Sequence, residues 1–190
     1  MKRAFDIIGA LIGLALCSPL FLVISILITY QSNGPIFFRQ IRIGYKGRPF
    51  AIFKFRTMSS IVEEEGPQLV AKCDSSNSTR LEQFLRGHHL DELPQLWNVL
   101  RGDMSFVGPR PERKYFIDKI LRHTDRYQLI YEMKPGLTSE ATLYNGYTDT
   151  MEKMLKRMEM DIHYLEHRTL WLDFTIIVKT VVNILTGKKF

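Results

Sequence analysis

The chain has 190 residues, 45% of them hydrophobic and 24% charged, with a formal net charge of +6. That is enough for one domain with a real core, too apolar for a disordered chain, and its two cysteines, Cys17 and Cys73, exclude a disulfide framework. The charge is lopsided: Lys2, Arg3, Arg39, Arg42, Lys46, Arg48, Lys54 and Arg56 face only Asp6 within residues 1–60, while the rest of the chain is nearly balanced. Such an excess points to an anionic surface or substrate beside the N-terminal part.

Ala4 to Tyr30 is an apolar run of 27 residues with one charge, Asp6. A membrane-crossing helix needs about 20 residues, so length permits a span. A cleaved signal peptide fits less well, because the run is too long for an h-region and no small-residue cleavage site closes it. Ser18-Pro19 sits mid-run, where proline removes a backbone donor and bends a helix. Bases flank both ends, Lys2 and Arg3 before, Arg39, Arg42, Lys46 and Arg48 after. Under the positive-inside tendency both ends then belong on the cytoplasmic side. This predicts a re-entrant membrane helix over residues 1–33, broken at Ser18 and Pro19, followed by a cytoplasmic domain over 34–190. A simple spanning anchor is the competing reading.

Pro35 to Met58 predicts two short strands joined at Gly44-Tyr45-Lys46-Gly47. Residues 59–78, with Glu63-Glu64-Glu65-Gly66-Pro67 and Asp74-Ser75-Ser76-Asn77-Ser78, predict a loop. Thr79 to Leu85 predicts a short helix, and Asp91 to Leu100 another with Asp91 as N-cap and Pro94 in its first turn. Gly102 to Pro111 is a Gly/Pro-punctuated loop, Glu112 to Met133 reads mostly helical, and Lys134-Pro135-Gly136 ends it. Asp149 to Leu170 predicts a further helix. From Leu170 to Thr186, Leu170, Phe174, Ile177, Val178, Val181 and Leu185 share one helical side. That last helix either packs on the core or lies in the membrane interface. The fold class is α+β, mostly helical, with a re-entrant membrane helix, a small β-hairpin and interfacial amphipathic helices.

Two constellations carry possible chemistry. His163-Tyr164-Leu165-Glu166-His167 has metal-ligand spacing, but only 23 residues follow it to supply a third ligand, and a solvated helix face explains it more simply. Asp91-Glu92 is the stronger one. Adjacent carboxylates can hold a divalent metal and supply a nucleophile. Arg86 lies five residues upstream, Arg110 follows in Pro109-Arg110-Pro111, and Lys54 and Arg56 end the second predicted strand. Arginines bind diphosphate oxygens bidentately. Carboxylates among such cations suit phosphoryl transfer, where positioning and charge neutralisation do most of the work.

Four segments, KRAFDIIGALIGLALCSPLF, GPIFFRQIRIGYKGRPFAIFKFRTM, LDELPQLWNVLRGDMSFVGPRPE and KPGLTS, together resemble the bacterial sugar transferases of the monotopic phosphoglycosyl transferase type, in their small, catalytic-domain-only form. The resemblance implies transfer of a sugar 1-phosphate from a nucleoside diphosphate sugar, a UDP-sugar with release of UMP, to a polyprenyl phosphate such as undecaprenyl phosphate. It implies a covalent phosphosugar on Asp91, Glu92 and Asp91 holding Mg²⁺, and Lys54, Arg56, Arg86, Arg110 and Asp173 in donor phosphate or nucleotide binding. It matches Ser18-Pro19 to the break of a re-entrant helix. It places the enzyme at the bacterial inner membrane with its catalytic domain on the cytoplasmic face, in contact with the bilayer and with no nucleic-acid partner.

One segment departs from the family pattern. Many members read GLTG-x-x-Q-V-x-G-R, whereas this chain reads GLTSEATLYNGY, with Tyr147 where the arginine is usual. Lys134, Tyr144 and Tyr147 are the candidates to compensate. The rival to an enzyme is a membrane-anchored module that binds anionic lipid or nucleic acid through the basic N-terminal part. That rival accounts for the charge excess but not for the spacing of Asp91, Glu92 and Arg110.

Overall fold

The computed structural model describes residues 1–31, 34–57, 79–146 and 148–186. The long helix α1 covers Lys2–Gln31 and leads into the hairpin of β1 (Phe37–Ile43) and β2 (Pro49–Phe55). Then come α2 (Arg80–Gly87), a 3₁₀ turn at Leu90–Glu92, α3 (Gln95–Arg101), β3 (Ser105–Val107) and α4 (Lys114–Leu121). A 3₁₀ stretch at Asp125–Glu132, β4 (Gly136–Thr138), α5 (Glu140–Asn145), α6 (Met151–His167) and α7 (Leu170–Leu185) complete the order. The mostly helical α+β expectation holds. The predicted loop over 59–78 lies outside the described residues.

β1 and β2 pair antiparallel from Phe37↔Phe55 to Ile43↔Pro49. Their reversal uses left-handed backbone at Lys46 and Gly47, φ 57 and 68. β3 and β4 pair in parallel, a short two-stranded sheet that three-residue runs do not announce in sequence. Gly108 and Gly136 make the approach possible, since a Cβ on Gly136 would sit 2.2 Å from Gly108 N. The predicted helix over Glu112 to Met133 is two pieces. Thr124 interrupts it by accepting from Arg126 N at 3.2 Å and starting the 3₁₀ stretch. Helix starts elsewhere follow local chemistry: Thr79 and Glu82 form a capping box, and Ser139, Thr150 and Thr169 cap α5, α6 and α7.

The expected break at Ser18-Pro19 is not a break in the helix. α1 runs through it, with Pro19 inside. Pro19 cannot donate to the carbonyl four residues back, Ala15, and the Ser18 hydroxyl donates to that oxygen instead at 2.8 Å. One stripe of α1 faces the rest of the protein. Ala10 packs with Ile52, Val99 and Met104, while Ile24 and Ile28 pack with Phe55 and Leu85. The opposite stripe, including Ile8, Leu16, Val23 and Ile26, is exposed.

The charged start of α1 is spent internally. Lys2 Nζ donates to Val107 O (3.0 Å), Tyr164 OH (3.1 Å) and Asp173 Oδ2 (2.5 Å). Arg3 donates to Val99 O and Leu100 O at 2.6 and 2.7 Å, tying the last-turn carbonyls of α3 to the start of α1. Asp6 accepts from Ser105 Oγ and Phe106 N at 2.9 and 3.1 Å. The largest core cluster lies between α4, the 3₁₀ stretch, α6 and α7, with Phe116, Ile120, Met154, Met158, Ile162 and Ile176 buried.

Of the two readings of α7, the structure favours the outward one. Asp173 and Ile176 are buried and Ile177 packs partly on the core, whereas Leu170, Trp171, Phe174, Val178 and Val181 are exposed. Most of the apolar stripe seen in the sequence points outward.

Asn98 ties α3 to the hairpin. It is fully buried, accepts from Phe53 N at 3.1 Å and donates to Ala51 O at 2.7 Å. Both partners are backbone groups on the side of β2 away from β1, so truncation leaves a buried donor and acceptor unpaired. Asn98→Ala is expected to cost about 3 kcal/mol, read as a lower melting temperature of the detergent-solubilised protein.

Candidate active site

Asp91 and Glu92 sit in the 3₁₀ turn between α2 and α3. His89 enters that turn in left-handed backbone, φ 53, with Glu92 N donating to His89 O at 3.2 Å. Asp91 is not the predicted N-cap. α3 begins four residues later, its cap position is Pro94, and no side chain caps it. The carboxylate is thereby released from a helix-capping role and is buried with its neighbour instead.

Three cations converge there from separate elements. Lys54 from β2 donates to Glu92 Oε1 at 2.5 Å and lies 3.9 Å from Asp91 Oδ2. Arg110, held between two prolines after β3, donates to the same Glu92 oxygen at 3.2 Å. Arg86 from α2 donates to Thr57 O at 3.2 Å and acts electrostatically on Asp91. The pair is therefore asymmetric. Burial pushes the Asp91 carboxyl up to about 6, with Lys54 only partly opposing it and Glu92 adding to it. Burial pushes Glu92 up as well, but Lys54 and Arg110 outweigh it and hold that carboxyl well below the usual range. Glu92 is the committed anion. Asp91, 3.9 Å from Lys54 and beyond hydrogen-bonding distance of it, is the less compensated of the two.

The other predicted residues lie elsewhere. The Arg56 guanidinium lies against Gly34, where an added Cβ would be 2.1 Å from Nη1. Asp173 is buried in the clamp with Lys2 and Tyr164 rather than beside Asp91. Ser18 and Pro19 are exposed on α1. His163 and His167 are exposed and stacked at 4.3 Å, and among the described residues no group of three or more His, Cys, Asp or Glu is poised to hold a metal. Of the compensating candidates, Lys134 approaches Gly102 beside Arg3, Tyr144 accepts from Lys179 Nζ at 2.8 Å, and Tyr147 is outside the described residues. The sequence reading missed His89, which shapes the turn, and Glu112, which ends the Pro109-Arg110-Pro111-Glu112 run. A histidine before the Asp-Glu pair and a glutamate after two prolines were the available signals.

Residues 1–187 match the family model of the bacterial sugar transferases. The chain belongs to that family. A UDP-N-acetylgalactosamine-undecaprenyl-phosphate N-acetylgalactosaminephosphotransferase of Aeromonas hydrophila is 40% identical over 187 residues, covering 98% of this chain and 44% of the relative. A UDP-glucose:undecaprenyl-phosphate glucose-1-phosphate transferase of Klebsiella pneumoniae is 41% identical over 182 residues, 95% of this chain and 39% of the relative. One of the same name from Caulobacter vibrioides is 42% identical over 188 residues, 97% and 70%. The chain thus spans less than half the length of the first two relatives and most of the third. The names share a UDP-sugar and undecaprenyl phosphate and differ in the sugar.

The unequal charge balance of the Asp91-Glu92 pair has a measurable consequence. Asp91 titrates higher in the folded protein than the ordinary 3.8, so folding disfavours its ionised form. Its contribution to stability therefore falls as pH rises from about 4 through about 6 and stays unfavourable above. Asp91→Asn removes that charge and is expected to stabilise the protein by about 1–3 kcal/mol at pH 7.5, with the difference closing towards pH 4. Thermal melts at the two pH values measure it.

Proposed function

We propose that this chain transfers a sugar 1-phosphate from a UDP-sugar to a polyprenyl phosphate, undecaprenyl phosphate by likeness to its relatives, with Asp91 as nucleophile. The observation that carries the reading is the asymmetric carboxylate pair, Glu92 neutralised by Lys54 and Arg110 and Asp91 hydrogen-bonded to neither. An Asp91 oxygen attacks the donor phosphorus that bears the sugar, the bond to the UMP oxygen breaks, and UMP leaves as an anion. The lipid phosphate oxygen then attacks the same phosphorus and Asp91 is released as a carboxylate. No proton need be moved in either displacement. Arg110 and Lys54 are placed to neutralise charge on the transferring group, and Arg86 to hold the diphosphate. Splitting the transfer in two lets one site serve a water-soluble donor and a lipid acceptor in turn.

Mg²⁺ takes one or two carboxylates and completes its shell with substrate phosphate and water, and Asp91 with a bound diphosphate fits that donor set. When bound it would offset the negative charge of the departing UMP. Glu92, already shared by Lys54 and Arg110, contributes chiefly by keeping those cations in place.

We also read α1 as dipping into the bilayer and returning, with the catalytic domain on the cytoplasmic face of the inner membrane. α1 is the one helix among the described residues long and apolar enough to cross. Support for a return comes from its two limbs, which both pack on the same domain, and from the outward apolar stripe of α7, suited to the interface. The rival lipid- or nucleic-acid-binding module is not favoured, because Lys2, Arg3, Arg42 and Lys54 are engaged inside the protein.

Incubated with Mg²⁺, undecaprenyl phosphate and UDP-glucose or UDP-N-acetylgalactosamine, the full chain is expected to release UMP, and Asp91→Asn to lose at least about a thousandfold. Donor without acceptor should add one phosphosugar to the intact mass. Turnover without any trapped adduct would argue for direct transfer. For topology, an N-terminal epitope and a cysteine at Pro35→Cys are expected to be reachable from the cytoplasmic side only. Periplasmic access to the epitope would mean a span.

A further inference from the structure

Arg110 borders a second feature besides the carboxylate pair. The turn that carries it lines a small cavity with Tyr127 from the 3₁₀ stretch and Arg157 and Asp161 from α6. The cavity has room for about one water molecule, roughly 10 Å³. Asp161 is 4% exposed, and its Oδ1 is buried without a hydrogen-bond partner, the one carboxylate oxygen so placed among the described residues. A buried acceptor in that state is costly unless water or a ligand fills it.

The surrounding charges are otherwise committed. Arg157, one turn before Asp161, donates to Glu112 Oε1 and to Thr148 Oγ1 at 3.1 Å. Glu112 Oε2 lies 3.6 Å from Arg42 Nη1, and Arg42 also donates to Pro111 O at 3.2 Å. These bonds lock the backbone on the far side of Arg110. The guanidinium itself is anchored to Glu92 at 3.2 Å, and its side chain is 41% exposed. If it is to grip a diphosphate, it must loosen from Glu92 without swinging away.

We propose that Asp161 is a positioning residue for donor binding: through a water held in this cavity, its Oδ1 steadies the Arg110 guanidinium for the donor diphosphate. The inference rests on the reading of Arg110 as a donor-phosphate contact. The groups that act on Asp161 are Arg157 from its own helix, Glu112 from the proline-flanked turn, Glu140 from α5 and Tyr127 across the cavity, and Arg110 lines the same cavity. Burial pushes its carboxyl up to about 7, with Arg157 opposing and Glu112 and Glu140 reinforcing. The ionised form makes the stronger hydrogen bonds. Rising pH therefore tightens the tether, and donor KM falls as pH passes through about 7.

The test compares wild type, Asp161→Asn and Asp161→Leu as full chains, with UMP release measured from pH 6 to 8.5 and UDP-glucose or UDP-N-acetylgalactosamine, whichever turns over, varied against fixed undecaprenyl phosphate. Expected at pH 8 is a donor KM raised about tenfold in both variants, with kcat within about twofold and the pH dependence of KM flattened. Melting temperatures should hold or rise, since an uncompensated buried carboxylate is removed. Because Asp91 is common to all three proteins, its own titration cancels in the comparison. Unchanged donor KM in Asp161→Asn across the range overturns the inference, as does a loss confined to kcat and melting temperature, which marks Asp161 as merely structural. Absence of UMP release in the wild type overturns the proposed function, and this inference falls with it.

Discussion

Two adjacent carboxylates buried at one turn are the constraint around which this protein is arranged. Their mutual repulsion and burial must be offset by cations, and the sequence supplies these from three remote places: Lys54 on β2, Arg86 on α2 and Arg110 after β3. Bringing them together fixes much of the fold. The hairpin must lie across α3, which Asn98 secures through the backbone of Ala51 and Phe53. The Pro109-Arg110-Pro111 turn must be held from both sides. Gly136 N donates to Pro109 O at 2.9 Å on one side, and Ile43 N to Glu112 O at 3.0 Å on the other. An unequal division of charge results, with Glu92 fully compensated and Asp91 incompletely so. Stability is conceded at Asp91, the proposed nucleophile, and such a concession is the usual trade where a carboxylate has to stay reactive.

The N-terminal charges have a different use from the one their density suggests. A row of bases beside an apolar run reads as a topological signal or an anionic-surface footprint. Lys2 and Arg3 instead bind Asp173, Tyr164 and the carbonyls of Val107, Val99 and Leu100. These two functions do not conflict. A clamp that fastens the start of α1 to the catalytic domain keeps that end on the domain's side of a membrane, whatever path the middle of the helix takes. Burial and the Asp173 hydrogen bond push the Tyr164 phenol above its ordinary range, so the clamp stays protonated at that position throughout the neutral range.

What the sequence disclosed was what local patterns can encode. The hairpin, the short helix from Thr79 and the last two helices follow from alternation and helical period, and the Asp-Glu pair with its arginines stood out by composition. Asp91 as an N-cap failed because capping preference sees only neighbours, whereas this carboxylate is claimed by a lysine 37 positions earlier. Asp173 as a donor contact met the same limit, since its partner Lys2 is 171 residues away. The break at Ser18-Pro19 failed more instructively. The proline does delete a hydrogen bond, as expected, but the adjacent serine hydroxyl restores a donor to the orphaned Ala15 carbonyl.

That substitution bears on how α1 meets a membrane. Inside lipid an unpaired carbonyl is expensive, so a proline is tolerated only where something else donates. Ser18 does so from within the helix, leaving no polar group that demands water or a neighbouring helix at mid-run. The Ser-Pro pair thus permits curvature, through the proline ring's steric push on the preceding turn, without opening the helix. Both limbs pack on one domain while the residues around the pair, Leu16, Ser18, Pro19 and Leu20, face outward. A continuous helix held at both ends and freed in the middle is mechanically suited to bow into a single leaflet, and α7 adds Trp171 and Phe174 to the outward apolar surface, which is the geometry the proposed re-entrant anchor requires.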